Sequence, residues 1–509
     1  MKNGKWKMKN KEISFIKNSL RFFCVPAFCL LVLTISGFAQ METPPAPSAP
    51  RNFALPAPVE KTLPNGLRVI VVQTKNVPIT TAQLFVKSGG EVDPQNLSGL
   101  ADFTASLLTK GTKTRTATQI AQEIEFLGGS IGAGAGWDYS NVSTRVTSDK
   151  IDKALAVLSD VIQNPAFSQE EIDRYRDQLL DDLAVQMKQP GAIANYVSSR
   201  KIFASGGGAD YGHPLGGTPA SVGRIKQADI VNFHKNYFSP GNSVLVFTGD
   251  IAPQTAFNSA AKYLGNWSKS VGGGNTMASS TAAVANKKTG NSVKEILVID
   301  LPNSGQAAVQ FVKTGLARRD PDYFKANVLN SVFGGGYSSR LNQEVRIKRG
   351  LSYGAGSSFG MRRNAGIFRI TTQTKNESAA EVAELYLQEL SRIAAGDLPD
   401  AELTPRKSVL TGNFGRNLAT TGGLAQIVGE LAVYGLPLSE INSYIQNVNS
   451  VSPNDVKSFA DNRLTPNDGV IVIVGDYKKF SEDLKKRFAN TPINVIQADK
   501  LNLESNTLQ

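Results

Sequence analysis

The chain repeats itself, and no other feature limits its possible folds as much. The segment Gln83-Leu84-Phe85-Val86-Lys87-Ser88-Gly89 recurs as Val309-Gln310-Phe311-Val312-Lys313-Thr314-Gly315, which maps Phe85 onto Phe311 at an offset of 226. Apolar runs into Gly-Asp, at residues 244–250 and 470–476, map Gly249 onto Gly475 at the same offset. Between them, Phe167-x-x-x-Glu171-Ile172 echoes Leu398-x-x-x-Glu402-Leu403 at an offset of 231. Two distant matches with one offset imply a duplicated domain. At 509 residues the chain also exceeds what one hydrophobic core supports.

The coarse pattern is the same in each half. β-rich runs come first, at residues 67–73 and 80–87, then 295–300 and 307–313. A helix, a hairpin, two helices and a closing strand follow. Strands and helices in blocks imply an α+β class: two homologous α/β halves, each a mostly antiparallel sheet packed on one side with helices. A Gly/Ser/Thr/Ala-rich stretch reads as a linker. The expected organisation is residues 1–39 as signal peptide, 40–58 as a Pro-rich lead-in and 59–268 as the N-terminal half. Residues 269–293 are the linker, 294–492 the C-terminal half and 493–509 a tail.

Charge supports the first of these boundaries. The formal net charge is +12, and residues 1–39 hold seven Lys and Arg against Glu12 alone. The rest carries only a mild basic excess, which is no footprint for nucleic acid. A basic stretch ending at Arg21, an apolar run, and Gly37-Phe38-Ala39 before Gln40 form the pattern of a cleaved export signal, pointing to the periplasm with no membrane span after cleavage; the alternative is an uncleaved anchor, since the run is just long enough to span. Both cysteines, Cys24 and Cys29, fall inside the run, so the mature chain has neither a disulfide nor a thiol nucleophile. No Gly-x-Ser-x-Gly elbow stands out. Gly334-Gly335-Gly336 lacks the Gly-Lys-Ser/Thr ending of a phosphate loop and reads as a tight turn. Residues 362–366 read as a hairpin turn. The two histidines, His213 and His234, read as structural.

The segment Ser98-Gly99-Leu100-Ala101-Asp102-Phe103-Thr104-Ala105-Ser106-Leu107-Leu108-Thr109-Lys110-Gly111-Thr112 resembles the Gly-Leu-Ala-His-x-x-Glu-His helix of the insulinase/pitrilysin zinc peptidases, with its trailing Lys-Gly-Thr. His213-Pro214-x-Gly216, Phe233-His234-x-x-Tyr237-x-x-x-x-Asn242 and Gly334-Gly335-Gly336-x-Ser338-Ser339-Arg340-Leu341 agree with the same family. The resemblance covers about residues 58–490 and implies a LuxS/MPP-like metallopeptidase fold. In the family motif two histidines bind zinc and the glutamate serves as general base. The histidine places here hold Asp102 and Ser106, and the glutamate place holds Ala105. The third ligand's place falls at Asp181 or Asp182, on a helix capped by Ser168 and Glu171. Carboxylates alone suit calcium or magnesium better than zinc, and a solvated cluster of acids is the simpler reading.

What the resemblance retains lies in the second half. In the family an Arg and a Tyr seven residues apart hold the substrate backbone and help to stabilise the oxyanion; Arg346 and Tyr353 match by type and spacing. The family includes two-chain enzymes in which one chain has the zinc motif and the other the Arg/Tyr pair. This chain is therefore expected to be the non-catalytic, substrate-binding subunit of such an enzyme. It would bind no metal itself, would be inactive alone, and would work with a zinc-bearing homologous partner on extended peptides. The alternatives are a catalytically dead scaffold and a peptide-binding protein of the same fold.

Overall fold

The computed structural model describes residues 55–204, 211–268, 293–396 and 398–509. The expected signal segment with Cys24 and Cys29, the lead-in up to residue 54 and the linker up to residue 292 lie outside the described residues. In the first half the strands are β1 (Val59–Thr62), β2 (Arg68–Gln73), β3 (Ile79–Val86), β4 (Ser130–Ala135), β5 (Ser140–Thr147) and β6 (Ser243–Gly249). In the second they are β7 (Glu295–Asp300), β8 (Ala307–Gly315), β9 (Ser352–Gly360), β10 (Gly366–Thr374), β11 (Val470–Gly475) and β12 (Ile493–Gln497).

Among the described residues each set forms a six-stranded sheet, in the orders β1-β2-β6-β3-β5-β4 and β12-β7-β11-β8-β10-β9. All neighbours are antiparallel except β2/β6, β7/β11 and β7/β12. The duplicated unit is thus five strands, and the outer strand differs: β1 enters first and antiparallel, whereas β12 arrives last and parallel. Residues 493–509 are accordingly no tail. Ile493–Gln497 pairs with β7, and Leu503 and Leu508 are buried beyond it. The alternation in 493–497 is too short and too polar to announce a strand.

The helices of the first half are α1 (Leu100–Leu107), α2 (Ala117–Phe126), α3 (Ile151–Gln163), α4 (Gln169–Gln186), α5 (Pro190–Phe203), α6 (Pro219–Arg224), α7 (Gln227–Tyr237) and α8 (Pro253–Leu264). The second half holds α9 (Tyr323–Phe333), α10 (Arg340–Asn342), α11 (Ala379–Ala395), α12 (Asp400–Leu418), α13 (Thr421–Val433), α14 (Glu440–Ser450), α15 (Pro453–Arg463) and α16 (Ser481–Arg487). Among the described residues five helices, not two, therefore separate the hairpin from the closing strand in each half.

Both faces of each sheet are covered, and this corrects the one-sided packing expected. One face packs on the sheet's own helices. The other receives a helix from the opposite half. On α13, Leu424, Ala425, Val428 and Leu431 cover Ile70, Val72, Phe85, Val244 and Val246 of the first sheet. On α5, Ile193, Ala194 and Val197 cover Leu297, Ile299, Ala308, Val312 and Val472 of the second. The starts of α5 and α13, Pro190 and Thr421, stand at an offset of 231, the one already carried by the Phe167/Leu398 pair. The exchange is therefore a property of the duplicated unit. Burying each Val, Leu, Ile or Phe side chain here contributes on the order of 1.5–3 kcal/mol.

The exchange also fixes which residues correspond. Gln83 on β3 donates to Gln426 on α13 at 3.0 Å, and Gln310 on β8 donates to Asn195 on α5 at 2.9 Å. The offset between these two glutamines is 227. Phe85 faces the exchanged helix, whereas Phe311 faces its own half's helices. The offset of 226 is correct for β6 and β11 but one short for β3 and β8.

A buried charged junction ties the halves together a second time. The turn between β9 and β10, read from sequence as a plain hairpin, carries Arg362 and Arg363 into the first half. Arg363 pairs with Glu91 at 3.0 Å and donates to the backbone oxygens of Asp138 and Lys87. Arg362 lies over the rings of Trp137, Tyr211 and Phe203 at 4.2, 4.7 and 4.9 Å. Asp138, 1% exposed, accepts from the hydroxyls of Tyr211 and Tyr434 at 2.5 and 3.1 Å.

Candidate functional site

The motif helix α1 forms as its apolar spacing requires, with Leu100, Phe103 and Leu107 buried. Its entry is built from two further motifs. Gly99 takes φ +93°, and a Cβ there would meet Gly217 backbone at 2.8 Å, so both the left-handed turn and the close approach demand glycine. The buried Asp93 carboxylate accepts from the Gly99 and Ala101 N–H groups at 2.8 Å each. His213 contacts the Gly90 and Pro214 carbonyls at 2.9 and 3.0 Å. His234 contacts the Ile162 carbonyl at 2.8 Å and stacks on Phe238. Both histidines are used by the fold.

On α1, Ala105 is fully buried, while Asp102 and Ser106 are half-buried. Burial raises the Asp102 pKa, and the Ala135 N–H, donating at 3.4 Å, opposes the rise. Opposite lies α4, capped by Ser168, whose hydroxyl accepts from the Glu171 N–H. Tyr175 on α4 packs edge-on against Phe103 at 4.9 Å; burial raises its pKa, Ser106 opposes the rise, and the charges of Asp102 and Asp182 add to it. Of the two acids proposed for the third ligand's place, Asp182 is the one felt at this phenol; both are exposed. This donor set does not fit zinc. Ala105 offers no base, a serine hydroxyl is a weak ligand, and among the described residues no group of three or more His, Cys, Asp or Glu is placed to hold a metal.

Arg346 and Tyr353 stand at the free edge of the second sheet. Ser339 stands at the N-cap position of the short α10 without a capping bond from its hydroxyl, and the helix continues through residues 343–348 as a π-helix, a form frequent at functional sites. Gly350 ends this turn at φ +62°. Glu344, 8% exposed, anchors it through Lys348 and Arg349. The Arg346 guanidinium lies 4.9 Å from the centre of the Tyr337 ring.

β9 pairs with β10 as Ala355↔Thr372 and Ser352↔Thr374, so Tyr353 and Gly354 together oppose Gln373. Such a bulge re-aims a side chain at a sheet edge, and Tyr353 is 89% exposed. Gly334 passes so close to β9 that a Cβ would meet the Ser357 nitrogen at 2.3 Å, which explains the glycine run as a tight turn. Among the described residues no hydrogen bond, ion pair or ring contact joins Arg346 or Tyr353 to α1 or α4. The pair does not complete the degenerate motif of its own chain.

Sequence reasoning missed a signal here. Ser130-Ile131-Gly132-Ala133-Gly134 on β4 recurs as Ser352-Tyr353-Gly354-Ala355-Gly356 on β9. Both are free-edge strands, each beside its half's motif helix. Tyr353 thus takes the place of Ile131, and β4 pairs with β5 without a bulge.

Comparison with known proteins agrees with this geometry. Residues 68–203 match the family model described as insulinase (peptidase family M16), and residues 224–410 match the one described as peptidase M16 inactive domain. The chain belongs to the insulinase family. Among M16 relatives, it is 26% identical over 399 residues to an "uncharacterized zinc protease" of Streptomyces coelicolor, covering 78% of this chain and 85% of that one. It is 23% identical to an Arabidopsis thaliana protein named "Probable mitochondrial-processing peptidase subunit beta", covering 87% and 84%. A crystal structure of a peptidase M16 inactive domain from Pseudomonas fluorescens superposes with a TM-score of 0.74 at 27% identity, covering 82% and 98%. The two-half M16 architecture is therefore that of this chain.

Proposed function

We propose that this chain is the non-catalytic, substrate-binding subunit of a two-chain M16 zinc peptidase acting on peptides. One contrast carries the reading. The motif helix offers a buried Ala105 where a base is needed, while Tyr353 is bulged outward on a free, glycine-bearing edge and Arg346 stands on the turn that packs against that strand. An extended peptide adds to such an edge through its main chain. Arg346 and Tyr353 would then donate toward the carbonyl oxygen of the held peptide, and a homologous partner's zinc would supply the hydrolytic chemistry. The chain itself carries no zinc and is exported to the periplasm through residues 1–39. Among the described residues no helix is long and apolar enough to cross a membrane.

The test is cleavage of a quenched fluorescent peptide library, with metal content by mass spectrometry, for the chain alone and co-expressed with a zinc-motif homologue. Activity with the partner only, reduced about 100-fold or more by Arg346→Ala, is expected, the usual loss on removing an oxyanion donor. Zinc and activity in the chain alone would overturn the reading.

A further inference from the structure

Beneath Tyr353 lies a cavity of about 500 Å³, between the first turns of α5 and the strands β8, β9 and β10. Its size is in the range that receives a small ligand or a side chain with adjoining backbone (about 300–1,000 Å³). Among the described residues its lining holds no Asp, Glu, Lys, Arg or His. Four carboxamides converge there instead, from Asn195, Gln306, Gln310 and Gln373, with the hydroxyl of Thr371 and the ring of Tyr353.

Gln310 sets the orientation of this group. Its Oε1 accepts from the Ser198 hydroxyl at 2.8 Å, and its Nε2 donates to Asn195 Oδ1 at 2.9 Å. Asn195 accepts that bond through its oxygen, and among the described residues its NH₂ donors have no hydrogen-bond partner. Gln306 and Gln373 are exposed at the rim, and Gln373 is the residue that faces the Tyr353-Gly354 bulge. Gly354 and Gly356 put no side chain over the opening, and a Cβ at Gly354 would meet only Asn342 Oδ1, at 3.8 Å. A strand laid on the free edge of β9 sends alternate side chains to this face.

The chemistry of the lining selects what enters. A charged side chain would be desolvated with no counter-charge. A purely apolar one would cover amide groups and leave them unpaired. A carboxamide supplies donors and acceptors to both kinds of partner. We propose that this cavity is a specificity subsite that receives a glutamine or asparagine side chain of the bound peptide. It rests on the subunit reading above and narrows the substrate class.

The experiment is fluorescence anisotropy with the full chain alone and labelled Gly/Ala/Ser peptides carrying one guest residue: Gln, Asn, Glu, Lys or Leu. Gln and Asn peptides are expected to bind about fivefold tighter or better, the scale of one neutral hydrogen bond. The preference is expected to collapse to within about twofold in Gln306→Leu/Gln373→Leu, two exposed positions whose replacement leaves the core intact. Thr371→Val provides a second variant, and a thermal melt of each checks its fold. Equal binding of all five guests, a charged guest bound tightest, or no binding at millimolar peptide overturns the proposal. The subunit reading fails separately: the glutamine preference would persist in the chain alone, and adding the zinc partner would give no cleavage.

Discussion

Lys313 is 1% exposed, and its ammonium donates to the Thr465 carbonyl at 2.9 Å. Burial pulls its pKa from 10.5 down to about 8. Between those values the unfolded chain binds the extra proton, so stability rises with pH across that window; below about 8 the full penalty stands. Lys313→Met is expected to stabilise the protein at pH 7 by ~1–3 kcal/mol, with the gain fading by pH 10. Urea midpoints at the two pH values measure it, and a loss at pH 7 would mean that the bond to Thr465 outweighs the burial. Lys87, paired with Lys313 by the apparent repeat, lies instead near Arg68 and Arg363, which also lower its pKa after burial. At this scale the changed motif at Asp102, Ala105 and Ser106, and the pair Arg346 and Tyr353, are readable as residue types at fixed spacing. The junction at Glu91, Asp138, Arg362 and Arg363 is not. Its members come from distant segments, and nothing local to Arg362 indicates that three aromatic rings will surround it.

Elements were legible where one face differs from the other. The stripe of α1 and the caps of α4 follow from sequence because a polar side contrasts with an apolar one. β3 and β8 are buried on both faces, so a one-residue slip leaves little trace in the apolar pattern. Only the partners of Gln83 and Gln310 reveal it. The helices α5 and α13 escape notice for a related reason: each lies between layers, and its apolar residues do not gather into one stripe. Their fit is close. A Cβ on Gly429 of α13 would lie 2.0 Å from the Phe85 ring. Gly429→Ala is therefore expected to cost ~1–3 kcal/mol by overpacking, despite alanine's higher helix propensity. Most of the loss is expected to return in the Phe85→Leu background, where the ring is gone. A double-mutant cycle from chemical denaturation checks this, and additive effects would place the strain elsewhere.

For the whole molecule, duplication foretold two like halves but not their dependence on each other. Each sheet lacks one cover until the other half supplies it, and the Arg362/Arg363 turn adds buried charge to the same boundary. Residues 55–268 and 293–509, produced separately, are each expected to bind a hydrophobic dye and to melt without cooperativity. Produced together as two pieces, they are expected to give one cooperative transition by calorimetry. A sharp melt from either piece alone would show that the exchanged helix is dispensable to the sheet it covers.

The exchange also imposes a schedule on synthesis. β6 completes the first sheet at Gly249, but the helix that covers Ile70, Val72, Phe85, Val244 and Val246 begins only at Thr421, after most of the second half's sheet has been made. At about 5–20 residues per second the nascent sheet waits roughly 9–34 s with that apolar face open. A chaperone acting on the unfinished chain would find its ligand there, on a surface that the finished protein never shows.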